Sequence, residues 1–130
     1  LGAAAVTAAV ERAGIDPARV DDVIMGAALQ QGATGSNIAR QIALRSGLPV
    51  TVPGMTVDRQ CSSGLMAVAT GAKQIIDDGM TCVIGGGLES ISLVQNENMN
   101  LLTKEFLYLV DMLLFFVPFY LQRFCSNNLP

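Results

Sequence analysis

The chain contains no histidine and no tryptophan. Lacking histidine, it lacks the commonest general base, metal ligand and pH switch in one stroke. Charge is sparse as well, at 15% of residues, with a formal net charge of −3 and a pI near 4.7. There is no basic cluster with interleaved aromatics, so nucleic acid is excluded as the main partner. Cysteine is limited to Cys61, Cys82 and Cys125. An odd number at wide spacing fits neither a disulfide framework nor a zinc site, and it points to a reducing, cytoplasmic setting. The opening "LGAAAVTAAVERAG" carries charge in mid-helix and lacks the basic start of a secretory signal. Residue 1 is Leu instead of Met, as expected of a piece that begins inside a longer protein.

Hydrophobic residues make up 51% of the 130, so a core is easily built and disorder is not expected. Residues 2–13 are rich in Ala and Val, and Gly14 supplies a helix stop. Asp16 and Pro17 form an N-cap and first-turn pair for one short turn. Val23 to Met25 reads as a buried strand, and "QQGATG" as a loop. Ser36 is placed to cap a helix running to about Ser46, with Gly47 closing it. "LPVTVPG" reads as extended linker, and Met55 to Gln60 as a second strand. A long helix is predicted from about Ser62 to Asp78, ended by Gly79. Cys82 to Ile84 reads as a third strand breaking into a glycine turn at 85–87. Strand, helix, strand, helix, strand at this spacing predicts an α/β fold with βαβ crossovers.

Cys61 stands where the second strand meets the long helix. Free cysteine is often a plain core residue. At a helix start, however, unpaired backbone N–H groups and the helix dipole favour thiolate and can hold the oxyanion of an attacked carbonyl. Ser62, Ser63 and Gly64 are small enough to leave room for a substrate. Cys82, inside an apolar strand, and Cys125, in the last segment, read as structural. The helix after Cys61 carries Gly64, Ala67, Ala69, Gly71 and Ala72, which predicts close approach of neighbouring backbones around a helix buried on most faces. The "GGG" at 85–87 is not GxGxxG and no GK[ST] follows, so a tight turn near the site is preferred to a phosphate cradle. Glu89 and Glu97 read as solvated, and no metal-ligand spacing stands out.

After Asn100 the character changes. All five Phe and both Tyr lie in "LLTKEFLYLVDMLLFFVPFYLQRFC". Its apolar stretch falls short of the roughly 20 residues that cross a bilayer, and Asp111 and Pro118 interrupt it, so a membrane span is not expected.

"GLPVTVPGMTVDRQCSSGLMAVATGAKQI", with "VDDVIMGAALQQGATGSNIARQIAL" before it and "GGGLESIS" after it, resembles the thiolases. This is the family of acetyl-CoA acetyltransferases and 3-ketoacyl-CoA thiolases. The resemblance covers about residues 1–100 and implies an incomplete thiolase-type N-terminal domain, α/β, with a mixed sheet packed on helices and a buried helix after the nucleophilic cysteine. It places Cys61 on that nucleophile, which takes an acyl group from a CoA thioester, with its own N–H in the oxyanion hole. Residues 85–90 fall on the turn beside the cysteine and residues 36–45 on a helix of the dimer region. No bound cofactor is implied; acyl-CoA and acetyl-CoA are the substrates, and the parent enzyme is expected to be a homodimer or homotetramer. The family's histidine in N-x-x-G-G…G-H-P and its second cysteine in C-x-G-G-G have no counterpart here, nor has the R-T-P strand. Residues 101–130 depart from the pattern as an aberrant hydrophobic tail. An inactive fragment is therefore the expectation for this chain alone, with a ketoacyl-synthase-like condensing enzyme or a non-catalytic truncated product as the alternatives.

Overall fold

A computed structural model describes residues 1–94. The chain runs α1 (Gly2–Ala13), a 3-10 turn (Pro17–Arg19), β1 (Asp22–Gly26), a second 3-10 turn (Gly32–Thr34), α2 (Ile38–Arg45), β2 (Gly54–Val57), α3 (Ser63–Asp77), β3 (Val83–Gly87) and the short α4 (Ile91–Val94). Gly14 ends α1 in the left-handed region, at φ 63°, a conformation that costs glycine little. The Asp16 side chain accepts from the Ala18 N–H at 2.9 Å, capping the first 3-10 turn as its sequence indicates.

The three strands form one sheet in the order β2-β1-β3. β1 is central and pairs in parallel with both neighbours, in register Val23 with Gly54 and Asp22 with Val83. The α/β class expected from the sequence holds. Every pairing among the described residues is parallel, and the antiparallel member that would make the sheet mixed is not among them. Every residue of β1 is buried, because helices cover both of its faces. Val23 and Met25 join Val6 and Val10 of α1 and Ile38, Ala39, Ile42 and Ala43 of α2 in one core. Ile24 and Gly26 point the other way, to α3. A right-handed crossover from β1 to β2 and another from β2 back past β1 to β3 require α2 and α3 to lie on opposite faces.

Close approach explains the small residues of α3. Ser63, Ala67 and Gly71 are its buried positions, one per turn along a single stripe. A Cβ on Gly71 would stand 3.0 Å from Val83, and one on Gly85 would stand 3.0 Å from the Val68 Cα. The expected burial on most faces is not found, since Leu65 is 73% and Ile76 78% exposed. Only the sheet-facing stripe has a covering partner among the described residues.

Four local expectations are corrected. Gly85–Gly87 do not turn; they are the second half of β3, because their lack of side chains lets the strand lie against α3 and β1. Ser36 does not cap α2. It and Asn37 have φ of 52° and 53°, and the cap comes instead from β2, whose Thr56 hydroxyl accepts the Ala39 N–H at 3.0 Å. β2 ends at Val57, short of Gln60, because Asp58 starts a turn. Residues 50–52 bend instead of running extended, with the Val52 N–H bonded to the Pro49 carbonyl at 3.0 Å.

Candidate active site at the turn between β2 and α3

With all three strands parallel, their carboxyl ends share one edge of the sheet, the edge at which open α/β folds bind ligands. That edge is cross-linked by backbone. Ala27 N–H donates to the Val57 carbonyl and Leu88 N–H to the Gly26 carbonyl, both at 3.0 Å. Glu89 is exposed, as expected of a solvated carboxylate, and it is also anchored. It accepts from the Ala28 N–H at 2.8 Å and the Leu29 N–H at 3.3 Å, fixing the loop after β3 to the loop after β1. Glu97 lies outside the described residues.

β2 is held in place from α2. Asn37 donates to the Gly54 carbonyl and accepts from the Thr56 hydroxyl, both at 2.8 Å. The Arg40 guanidinium donates to the Val52 carbonyl and, at 2.8 Å, to the Val50 carbonyl. A Cβ on Gly54 would come within 2.6 Å of Arg40 backbone, so β2 starts hard against α2. These polar residues of the "NIAR" stretch thus set where β2 delivers the chain.

Beyond β2 the chain reverses within five residues. The Asp58 carboxylate accepts the Gln60 N–H at 2.8 Å, the side-chain turn that aspartate favours. Gln60 has φ 49°, uncommon for a residue with a Cβ. The Ser62 and Ser63 N–H groups donate to the Arg59 and Gln60 carbonyls, each at 3.1 Å. Ser63, 4% exposed, accepts from the Arg59 N–H at 2.8 Å and donates to the Gln60 carbonyl at 2.6 Å. Ser62 donates to the Arg59 carbonyl at 2.8 Å. The two serines thus tie the turn together, a role their sequence reading as open space did not capture.

Cys61 sits at the crest of this turn, exposed, one residue before Ser62, the N-cap of α3. The N–H groups of Gly64 and Leu65, in the first turn of α3, donate to no acceptor among the described residues. Cys82 is half-buried at the foot of β3, its N–H bonded to the Asp21 carboxylate at 3.0 Å. Cys125 lies outside the described residues. The structure therefore separates the two described thiols, one exposed and one half-buried. Glycine makes the crest possible: a Cβ on Gly26 would come within 2.2 Å of the Ser63 carbonyl carbon, and one on Gly87 within 3.2 Å of the Gly64 Cα.

A cleft of about 720 Å³ lies elsewhere, between α1, α2 and residues 88–93, and Cys61 does not line it. Its lining mixes apolar residues with Thr7, Thr34, Gln41, Arg45, Glu89 and Ser90. No helix among the described residues is long and apolar enough to cross a membrane.

Comparison with known proteins agrees with this arrangement. The thiolase N-terminal domain family model matches residues 1–114. The acetyl-CoA acetyltransferase of Escherichia coli (strain K12) is 50% identical over 93 residues, 72% of this chain and 23% of that protein. The acetyl-CoA acetyltransferase of Cupriavidus necator is 47% identical over 92 residues, 71% of this chain and 23% of that protein. The 3-ketoacyl-CoA thiolase of Bacillus subtilis is 44% identical over 94 residues, 72% of this chain and 24% of that protein. The chain thus spans about a quarter of the length of these curated relatives. With its strand-turn-helix presentation of Cys61 on a parallel sheet, the chain belongs to the thiolase family, as a part of its N-terminal domain.

Proposed function

We propose that Cys61 is the nucleophile of an acyl-transferring thiolase of which this chain carries one part. The observation that carries the reading is the exposed Cys61 at the crest between β2 and α3, beside first-turn N–H groups that are free to meet an oxyanion. The Cys61 thiolate would attack the carbonyl carbon of an acyl-CoA, acetyl-CoA in the simplest case. The new S–C bond forms as the bond to CoA sulfur breaks, and CoA leaves and takes a proton. The acyl group then passes to a second acyl-CoA, or to CoA in the degradative direction. The names of the relatives favour this reading over a ketoacyl-synthase-like one. A cytoplasmic homodimer or homotetramer is proposed for the parent enzyme.

The domain proposal sets a boundary near Asn100, with 101–130 as a hydrophobic tail foreign to the family. The change of composition supports it; the family match runs to residue 114. A thiolase-like continuation in another frame of the encoding DNA would identify the tail as the product of a frameshift.

The 130-residue chain contains no histidine, so it lacks the acid–base partner that the resemblance assigns to a thiolase cycle. Loss of general acid–base help costs about 10²- to 10⁴-fold per step. The purified chain is therefore expected to take one acetyl group slowly from acetyl-CoA, on Cys61, and to show no turnover. Peptide mass mapping and a steady-state assay of acetoacetyl-CoA cleavage test this. Equal acetylation of Cys82 would overturn the nucleophile assignment. CoA-dependent turnover abolished by Cys61→Ala would overturn the inactivity.

A further inference from the structure

Gln60, the residue before the thiol, is held in the left-handed region at φ 49°, where a residue with a Cβ costs of order 1–3 kcal/mol. Such a conformation persists only where its surroundings over-determine it. Here both peptide groups of Gln60 are gripped by side chains. Its N–H donates to the Asp58 carboxylate at 2.8 Å, and its carbonyl accepts the Ser63 hydroxyl at 2.6 Å. The same Ser63 oxygen accepts the Arg59 N–H at 2.8 Å and lies 3.5 Å from the Asp58 carboxylate. Ser63 is buried under the sheet edge, its backbone pressed against Gly26 of β1. Ser63 thus ties the turn to the sheet, while the Asp58 bond lies on the exposed side.

We propose that Asp58 and Ser63 are positioning residues, a clasp that holds Gln60 left-handed and thereby aims Cys61 at the first-turn N–H groups of α3. The proposal rests on the reading of Cys61 as the nucleophile, and adds what sets its reactivity. Ser63 acts through two backbone bonds of its hydroxyl, accepting the Arg59 N–H and donating to the Gln60 carbonyl, which the Ser63 N–H also reaches at 3.1 Å. Released from the clasp, Gln60 returns to the β or α region, and Cys61 swings away from the helix terminus.

The test measures alkylation by iodoacetamide at limiting dose in the 130-residue chain, with Cys82 as internal reference and far-UV melting as the control for folding. One hydrogen bond of this kind contributes about 1 kcal/mol, so Ser63→Ala should lower the Cys61-to-Cys82 labelling ratio about fivefold while the melting transition persists. Gln60→Gly, which accepts positive φ without cost, should restore the ratio when added to Ser63→Ala. A general weakening of the fold would raise Cys82 labelling in both variants, and glycine would not repair it. An unchanged ratio in Ser63→Ala, or failure of Gln60→Gly to restore it, overturns the clasp. Alkylation does not depend on acyl transfer, so failure of the acetylation experiment would sink the nucleophile reading and leave this result standing.

Discussion

Gly26 of β1 and Gly64 of α3, whose backbones meet but whose Cβ positions have opposite surroundings, should respond oppositely to the same methyl group. A Cβ at Gly26 would lie 2.2 Å from the Ser63 carbonyl carbon and 2.4 Å from the Gly64 nitrogen. Ordinary contact begins at 3.4 Å, so the start of α3 must retreat by about 1.2 Å (3.4 − 2.2). Both obstacles are backbone, and neither can rotate aside. Overpacking of this kind costs about 1–3 kcal/mol where side chains can yield. With backbone on both sides, and with part of the dispersion contact between α3 and the sheet forfeited as the gap opens, Gly26→Ala is expected to cost at least about 3 kcal/mol. For a domain of this size, about 4–8 °C of Tm accompanies each kcal/mol, which gives a fall of at least about 12 °C. Gly64 lies inside α3 with nothing within 4 Å of its would-be Cβ. There Ala removes the helix penalty of glycine, about 0.5–1 kcal/mol, and Gly64→Ala should raise Tm by a few degrees. Thermal and urea unfolding followed by far-UV circular dichroism measure both. A Gly26→Ala variant within about 1 kcal/mol of the parent, or a Gly64→Ala variant as damaged as Gly26→Ala, would refute the packing argument.

The N–H groups of Thr81 and Cys82 and the Thr81 hydroxyl, with a smaller contribution from Arg19, hold the Asp21 carboxyl below its ordinary value of 3.8. A folded-state value below the unfolded one stabilises the fold above pH 3.8 and loses its effect as pH falls through the folded value. The gap in urea midpoint between the parent and Asp21→Asn should therefore be present at pH 7 and shrink as pH falls from 3.8 through the lowered folded value; a gap that widens toward acid contradicts the assignment. Arg40→Ala releases two carbonyls of the 50–52 bend and should cost about 1–3 kcal/mol. Arg40→Lys, which cannot span both carbonyls with one planar fork, should recover less than half of that Tm loss, and full recovery would show that charge alone matters.

Much of this arrangement follows from local pattern. Gly14 and Asp16-Pro17 punctuate the chain wherever they stand, because a left-handed stop and an N-cap are properties of a few consecutive residues. The apolar run of β1 and the placement of Cys61 between strand and helix are equally local, and the combination of motifs sufficed to indicate the family that the comparisons show. Tertiary structure decided the rest. Gly85–Gly87 read as a turn, since glycine is ambiguous until α3 packs so close that a Cβ on Gly85 would stand 3.0 Å from the Val68 Cα. The cap of α2 comes from Thr56, 17 residues distant from Ala39, and Glu89 finds its N–H partners 60 and 61 residues away, so no window along the sequence could pair them. Ser62 and Ser63 have adjacent and similar side chains, yet only Ser63 is buried beneath β1 and grips Gln60. The sequence places the thiol and, within residues 58–63, the side chains that tie its turn together; the packing of Ser63 against Gly26, which fixes that turn on the sheet, is decided only when β1 and α3 close on one another.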